Sequence, residues 1–144
     1  MTFLIDANIV VYAAVDSAYR APCLEIVEAV ARRTADGKLS TAVFEEIWHI
    51  ELSGRAGALR GLAGRSYTIF TPLLSVTDEI VARARALDVA RLGANDRIHV
   101  STALANGITT IVTADADFDG VPGIRRVDPR DDAGRLRLLT ASAG

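Results

Sequence analysis

The feature that most constrains the fold is an alternation of hydrophobic period. Short apolar runs, which suit buried strands, are separated by longer segments with helical spacing. Phe3-Leu4-Ile5 is such a run, and it ends on Asp6. Ala7 to Ala14 is small and apolar enough to continue as a helix, and Ala21 to Arg33 repeats Leu24, Ile26, Val27, Val30 and Ala31 at helical spacing. Ala35-Asp36-Gly37 is expected to turn, Leu39 to Ala42 to form a second strand, and Val43 to Leu52 a helix. Tyr67 to Thr71, closed by Pro72, is the third strand candidate. Val76 to Val89 is a helix, and a further helix opens at Asn95 or Asp96 and stops at Asn106-Gly107. Ile108 to Thr113 and Ile124 to Val127 are the last strands, and the polar tail from Pro129 is expected to fray beyond Leu139. Strands alternating with helices predict an α/β fold: a parallel sheet with right-handed crossovers and helices on both faces.

The 144 residues suit one domain, 1–144, and half of them are apolar, enough for a core without disulfides. A lone cysteine, Cys23, can form neither an internal disulfide nor a zinc site, which favours a reducing, cytoplasmic setting. Asp6 interrupts the first apolar run, so a signal peptide is not expected. No run of about 18 apolar residues predicts a membrane span.

In an open parallel sheet, sites form beyond the carboxyl ends of the strands. Asp6 ends the first strand, and Asp115 lies two residues past Thr113. Glu46 falls in the first turns of the helix after the second strand, and Asp96 opens the helix before the fourth. Four acids scattered along the chain thus converge on one sheet edge. Clustered carboxylates repel unless a cation neutralises them, and hard divalent cations prefer such oxygen ligands. One or two such ions can activate water and stabilise an in-line phosphoryl displacement. Each acid also has a plainer role open to it. Asp6 can cap the next helix, Asp96 can complement a helix dipole, and Glu46 can be a solvated charge beside Glu45.

Net charge is −2, from 16 basic and 18 acidic residues; without the four clustered acids, 16 positive charges face 14 negative. A mildly cationic body around an acidic pit is compatible with a polyanion held through cations, and equally with an ordinary mixed surface. Asp115-Ala-Asp117-Phe-Asp119-Gly120 imitates the start of an EF-hand loop. Arg126 stands where the bidentate glutamate is required and Pro122 intrudes, which excludes it.

Four blocks occur in order: Asp6-Ala7-Asn8, Ser40-Thr-Ala-Val-Phe-Glu-Glu46-Ile-Trp, Gly93-Ala-Asn-Asp96-Arg-Ile-His99 and Thr113-Ala-Asp115-Ala-Asp117-Phe118. Together they resemble the four blocks of PIN-domain nucleases, the first being similar to their opening Asp-x-Asn. The resemblance puts the family glutamate on Glu46 rather than Glu45. The length and final Asp-Phe resemble the VapC-type toxins among them. The resemblance implies a three-layer fold with about five parallel strands in order 3-2-1-4-5. It implies Mg2+- or Mn2+-dependent endoribonuclease activity on an RNA substrate, a homodimer and a cognate antitoxin. Asp6, Asp96 and Asp115, with Asp117 as a further candidate, would approach the metal, Glu46 would position or deprotonate water, and Asn8 and Thr113 would orient the acids. A PIN-like module that only binds RNA or protein is the alternative. Haloacid-dehalogenase and receiver-domain readings fail, because Asn8 occupies a required aspartate position and a late lysine is missing.

A partner surface is also expected around Phe44, Trp48 and Leu52, with the glycine-rich Gly54–Gly64 segment and Arg55, Arg60 and Arg65 beside it. The helix carrying the aromatics has two apolar faces, where a peripheral helix needs one, so the extra face is to be covered by core, by a second subunit or by an antitoxin.

Overall fold

A computed structural model describes residues 1–54 and 57–140. Four parallel strands form one sheet in the order β2-β1-β3-β4, from β1 (Thr2–Ile5), β2 (Asp36–Lys38), β3 (Thr110–Val112) and β4 (Arg125–Val127). Helices α1 (Ala7–Ala14), α2 (Arg20–Ala31), α3 (Thr41–Leu52) and α4 (Leu62–Phe70) precede α5 (Asp78–Ala86), α6 (Ala94–Ala105) and α7 (Asp132–Thr140).

The pleat of β1 builds two cores. Phe3 and Ile5 pack into a cluster with Ile9, Ile26, Val43 and Ile47, on the side of α1 to α4. Leu4 points the other way, into a cluster with Val100, Ile111 and Phe118 on the α6 side. Strand alternation therefore covers both faces, giving the expected three layers. Gly37 is required for β2 to approach: an added Cβ would lie 2.7 Å from Val30, 2.8 Å from Ile5 and 2.9 Å from Phe3. This explains why Asp36 and Gly37, expected as a turn, belong to the second strand, which falls just before the expected Leu39–Ala42.

The Tyr67–Thr71 strand is not formed. That stretch lies largely in α4, whose buried Leu62, Ser66 and Phe70 recur every four residues while Tyr67 is exposed. Its N-terminus is capped from a distance, because Glu51 accepts from Gly61 N–H (3.0 Å) and Ala63 N–H (2.8 Å). What remains of the fifth strand is a single parallel bridge, Ser40–Leu74, beside β2. The expected order is thus kept with its third strand reduced to that bridge.

The polar tail from Pro129 carries a helix that its composition did not suggest, and the fraying expected beyond Leu139 falls, from residue 141 on, outside the described residues. Helix α7 buries Leu138, and Arg135 ties it to α2 through Glu25 at 2.6 Å. Of the glycine-rich segment, Gly57–Leu59 is a 3-10 turn that buries Leu59; Arg55 lies outside the described residues. Trp48 (51% exposed), Leu52 and Tyr67 are exposed, so the aromatic face of α3 is not core. Phe44 touches both Trp48 and Tyr67, with ring centroids 6.1 and 5.8 Å apart.

Candidate active site

Parallel strands place the ends of β1 and β3 at the same edge. Asp6 follows β1 as the N-cap of α1, where Oδ1 accepts from Ala7 N–H at 2.8 Å. Its other oxygen, Oδ2, accepts from Thr113 Oγ1 at 2.8 Å and from Asn8 Nδ2 at 3.2 Å. Capping and site placement are therefore the same conformation, and the two readings of Asp6 do not compete.

Thr113 is fully buried, and its hydroxyl is saturated. It donates to Asp6 and accepts from Asn8 Nδ2 and Asp115 N–H, each at 3.0 Å. Asn8 Oδ1 in turn accepts from Ala114 N–H at 3.3 Å. Four polar groups thus lock the end of β1 to the segment after β3. Asp115 is half-buried and caps the 3-10 turn Ala116–Phe118 by accepting from Asp117 N–H at 2.9 Å.

Glu46 projects from the second turn of α3, whose start is fixed by Ser40 accepting from Val43 N–H at 3.1 Å. Its Oε1 lies 3.1 Å from His99 Nε2, whereas Glu45 is exposed. Asp96 occupies the first turn of α6. The approach to that helix is fixed by Arg97, which donates to the carbonyls of Leu87, Val89 and Leu92 at 2.9, 3.1 and 2.9 Å.

Electrostatics couples the members of the group. Burial, then the charges of Asp6, Asp115 and Glu46, push the Asp96 carboxyl up to about 6 against the pull of His99. Asp6 is raised chiefly by burial, against the lowering effects of His99 and its hydrogen bonds. Burial alone would lower His99, but the bond to Glu46 and the charges of Asp6 and Asp96 outweigh it and raise it. The ligand atoms of Asp6, Glu46 and His99 lie within 4.8 Å of one another. Such a donor set, short of positive charge, suits a hard divalent cation.

The structure brings together Asp6, Glu46, Asp96 and Asp115, with Asn8 and Thr113 behind them. Asp117 is exposed on the 3-10 turn. Asp119 is turned away, paired with Arg126 Nε at 2.7 Å. Sequence reasoning missed two residues. Arg97 gives no local signal, since its partners are main-chain carbonyls of a loop. His99 gives one, because it stands three positions after Asp96 and shares its helix face.

A PIN domain family model matches residues 3–124. The chain belongs to the PIN domain family. This PIN domain shares its fold with a chain of a toxin–antitoxin complex from Klebsiella pneumoniae. That match has a TM-score of 0.66 and 20% identity and covers 89% of this chain and 98% of that one. A similar match is to VapBC2 from Rickettsia felis bound to a DNA fragment from their promoter, with a TM-score of 0.67 and 17% identity, covering 88% and 98%. No curated protein sequence matches significantly.

Proposed function

We propose that this PIN domain, acting as a single domain over residues 1–144, is a divalent-metal-dependent endoribonuclease and the toxin of a toxin–antitoxin pair. The observation that carries the reading is an acidic pit in which Asp6 and Glu46 place ligand atoms within 4.8 Å of each other and Asp96 feels the charges of Asp6, Asp115 and Glu46, with Asp6 and Asp96 raised chiefly by burial.

Asp6, Asp96 and Asp115 would hold Mg2+ or Mn2+, which when bound supplies charge stabilisation at the phosphate and a more acidic water. Glu46 would orient an attacking water and take its proton as the oxygen attacks phosphorus. The phosphodiester bond to the leaving oxygen breaks, and that oxygen gains a proton from solvent. Asn8 and Thr113 keep Asp6 and the Asp115 segment in register during the reaction.

Two apolar surfaces support protein partners. One is the exposed face of Trp48, Leu52 and Tyr67. The other is a groove between α1, α2 and α4 lined by Val10, Ala13, Leu24, Val27, Leu62 and Ile69. A second copy of the chain and a cognate antitoxin are their proposed occupants. Both fold relatives come from complexes of toxin with antitoxin, which favours this assignment. No helix among the described residues is long and apolar enough to cross a membrane, and the free, buried Cys23 fits the reducing cytoplasm.

The test is cleavage of single-stranded RNA by purified protein with Mg2+ or Mn2+, against EDTA and against Asp6→Asn. Metal-dependent cleavage lost in the variant is the expected result. Cleavage that survives both would overturn the site, and RNA binding without cleavage would favour a non-catalytic module.

A further inference from the structure

His99 is 1% exposed and stands at the floor of the acidic pit, on the α6 face that meets α3. Its two nitrogens have unequal surroundings. Nε2 is 3.1 Å from Glu46 Oε1 and 3.9 Å from Asp6 Oδ1. Nδ1 is buried and has no hydrogen-bond partner among the described residues. Proximity alone would allow Nε2 to be a third metal ligand beside Asp6 and Glu46.

The unpartnered nitrogen decides between the two roles. An imidazole that ligates a metal through Nε2 carries its proton on Nδ1, and ligating histidines almost always donate that proton to a carboxylate, carbonyl or water. Here it would be a buried donor with no acceptor, an arrangement proteins avoid. If Nε2 keeps a proton, it donates to Glu46, and the bare Nδ1 lone pair is the lesser loss.

We infer that His99 is a positioning residue rather than a metal ligand: its Nε2–H grips Glu46 Oε1 and leaves Oε2 aimed at the reacting water. A glutamate side chain has three rotatable torsions, and Ser40, which caps α3, fixes only its backbone. The imidazole supplies the missing restraint from a second helix. This role rests on the nuclease reading for its kinetic consequence, but the hydrogen bond itself does not.

Two measurements test it. The first is nitrogen-15 NMR of the wild-type imidazoles in Mg2+-saturated protein, with His49→Gln used to assign the only other histidine. A proton on His99 Nε2 supports the inference; Nε2 without a proton overturns it. The second compares His99→Gln, whose amide can replace Nε2–H, with His99→Leu, which cannot. His99→Gln should stay within a few-fold of wild-type kcat, while His99→Leu should lose about 10–100-fold in kcat with KM little changed. Calorimetric titration with Mn2+ alone should give the same affinity for both variants and wild type. Equal kcat in the two variants, or Mn2+ affinity lost in both, overturns the inference. If His99→Leu does not fold, the NMR result on wild type decides by itself. If wild type cleaves no RNA at all, the nuclease reading falls, while the NMR result still decides whether His99 holds Glu46.

Discussion

Asp96→Asn should make the metal-free protein more stable at pH 7.5 while abolishing most of its turnover. Asp96 is half-buried, faces Asp6, Asp115 and Glu46 across the pit, and makes no side-chain hydrogen bond among the described residues. Its carboxyl titrates at about 6 in the folded chain against 3.8 as its ordinary value. A raised pKa means the folded state holds the proton more tightly than the unfolded state. The resulting stability is fully present below about pH 4 and is lost as pH rises through about 6. A rise from 3.8 to about 6 corresponds to roughly 3 kcal/mol, and partial exposure to solvent reduces this to about 1.5. Removing the charge also forfeits about 0.5 kcal/mol of favourable interaction with the α6 dipole. The balance, ~1 kcal/mol, raises Tm by about 3 °C for a chain of this size. Thermal unfolding in EDTA from pH 4 to 8 measures it. Wild type should lose stability with rising pH across that range, Asp6 and His99 acting in the same direction as Asp96. The variant should show a shallower fall, and Mn2+ should stabilise it less than wild type. A natively folded Asp96→Asn protein no more stable than wild type in EDTA at pH 7.5 would refute the claim that the pit is held together against repulsion.

Glu46→Gln should cost far more turnover than Glu45→Gln in single-turnover RNA cleavage, because only Glu46 reaches the pit. Thr113→Val keeps the shape of a buried side chain but leaves Asp6, Asn8 and Asp115 N–H each short of a partner; chemical denaturation should register a loss of about 2–4 kcal/mol. Gly37→Ala forces a methyl against Val30, Ile5 and Phe3, and the same assay should show about 1–3 kcal/mol of overpacking. Trp48→Ala should leave monomer stability nearly unchanged, since half of that side chain is exposed, and should weaken self-association or partner binding in analytical ultracentrifugation; a loss of about 3 kcal/mol or more in folding would return Trp48 to the core.

The fold was legible where local pattern and long-range packing agree. Phe3-Leu4-Ile5 and Thr110 to Val112 are strands because their β-branched and apolar side chains fill both cores. Thr77 advertises α5 openly: it accepts from Ile80 N–H at 3.2 Å and is followed by acids in the first turn and arginines in the last. Local pattern misled where the deciding partner is remote. Tyr67-Thr-Ile-Phe-Thr has strand composition, yet Glu51, from the preceding helix, supplies the cap that starts a helix there. Asp36-Gly37 has turn composition, yet no larger residue than glycine fits the gap between β1 and α2. Polar Asp132 to Thr140 hides one well-buried leucine and an arginine that reaches Glu25.

The site shows the same division, and it explains why single residues were ambiguous. Asp6 as helix cap and Asp6 as site acid looked like rival readings because a sequence offers one residue one local role. In the folded chain Oδ1 faces the helix and Oδ2 faces Thr113, so one carboxylate serves both ends of the junction. The cap fixes the torsion that aims the carboxylate, and Thr113 fixes its tilt. A helix start at the end of a parallel strand is thus a place where an acid can be stabilised by the fold while its neighbours destabilise it. Asp6 caps α1 in this way, and Asp96 stands in the first turn of α6 without capping it. Their helix termini offset part of the cost of burial, and of the mutual charge behind it, that raises both carboxyls. A cation bound as proposed would relieve the remainder, so the cost that lowers metal-free stability would be the same free energy that favours its binding.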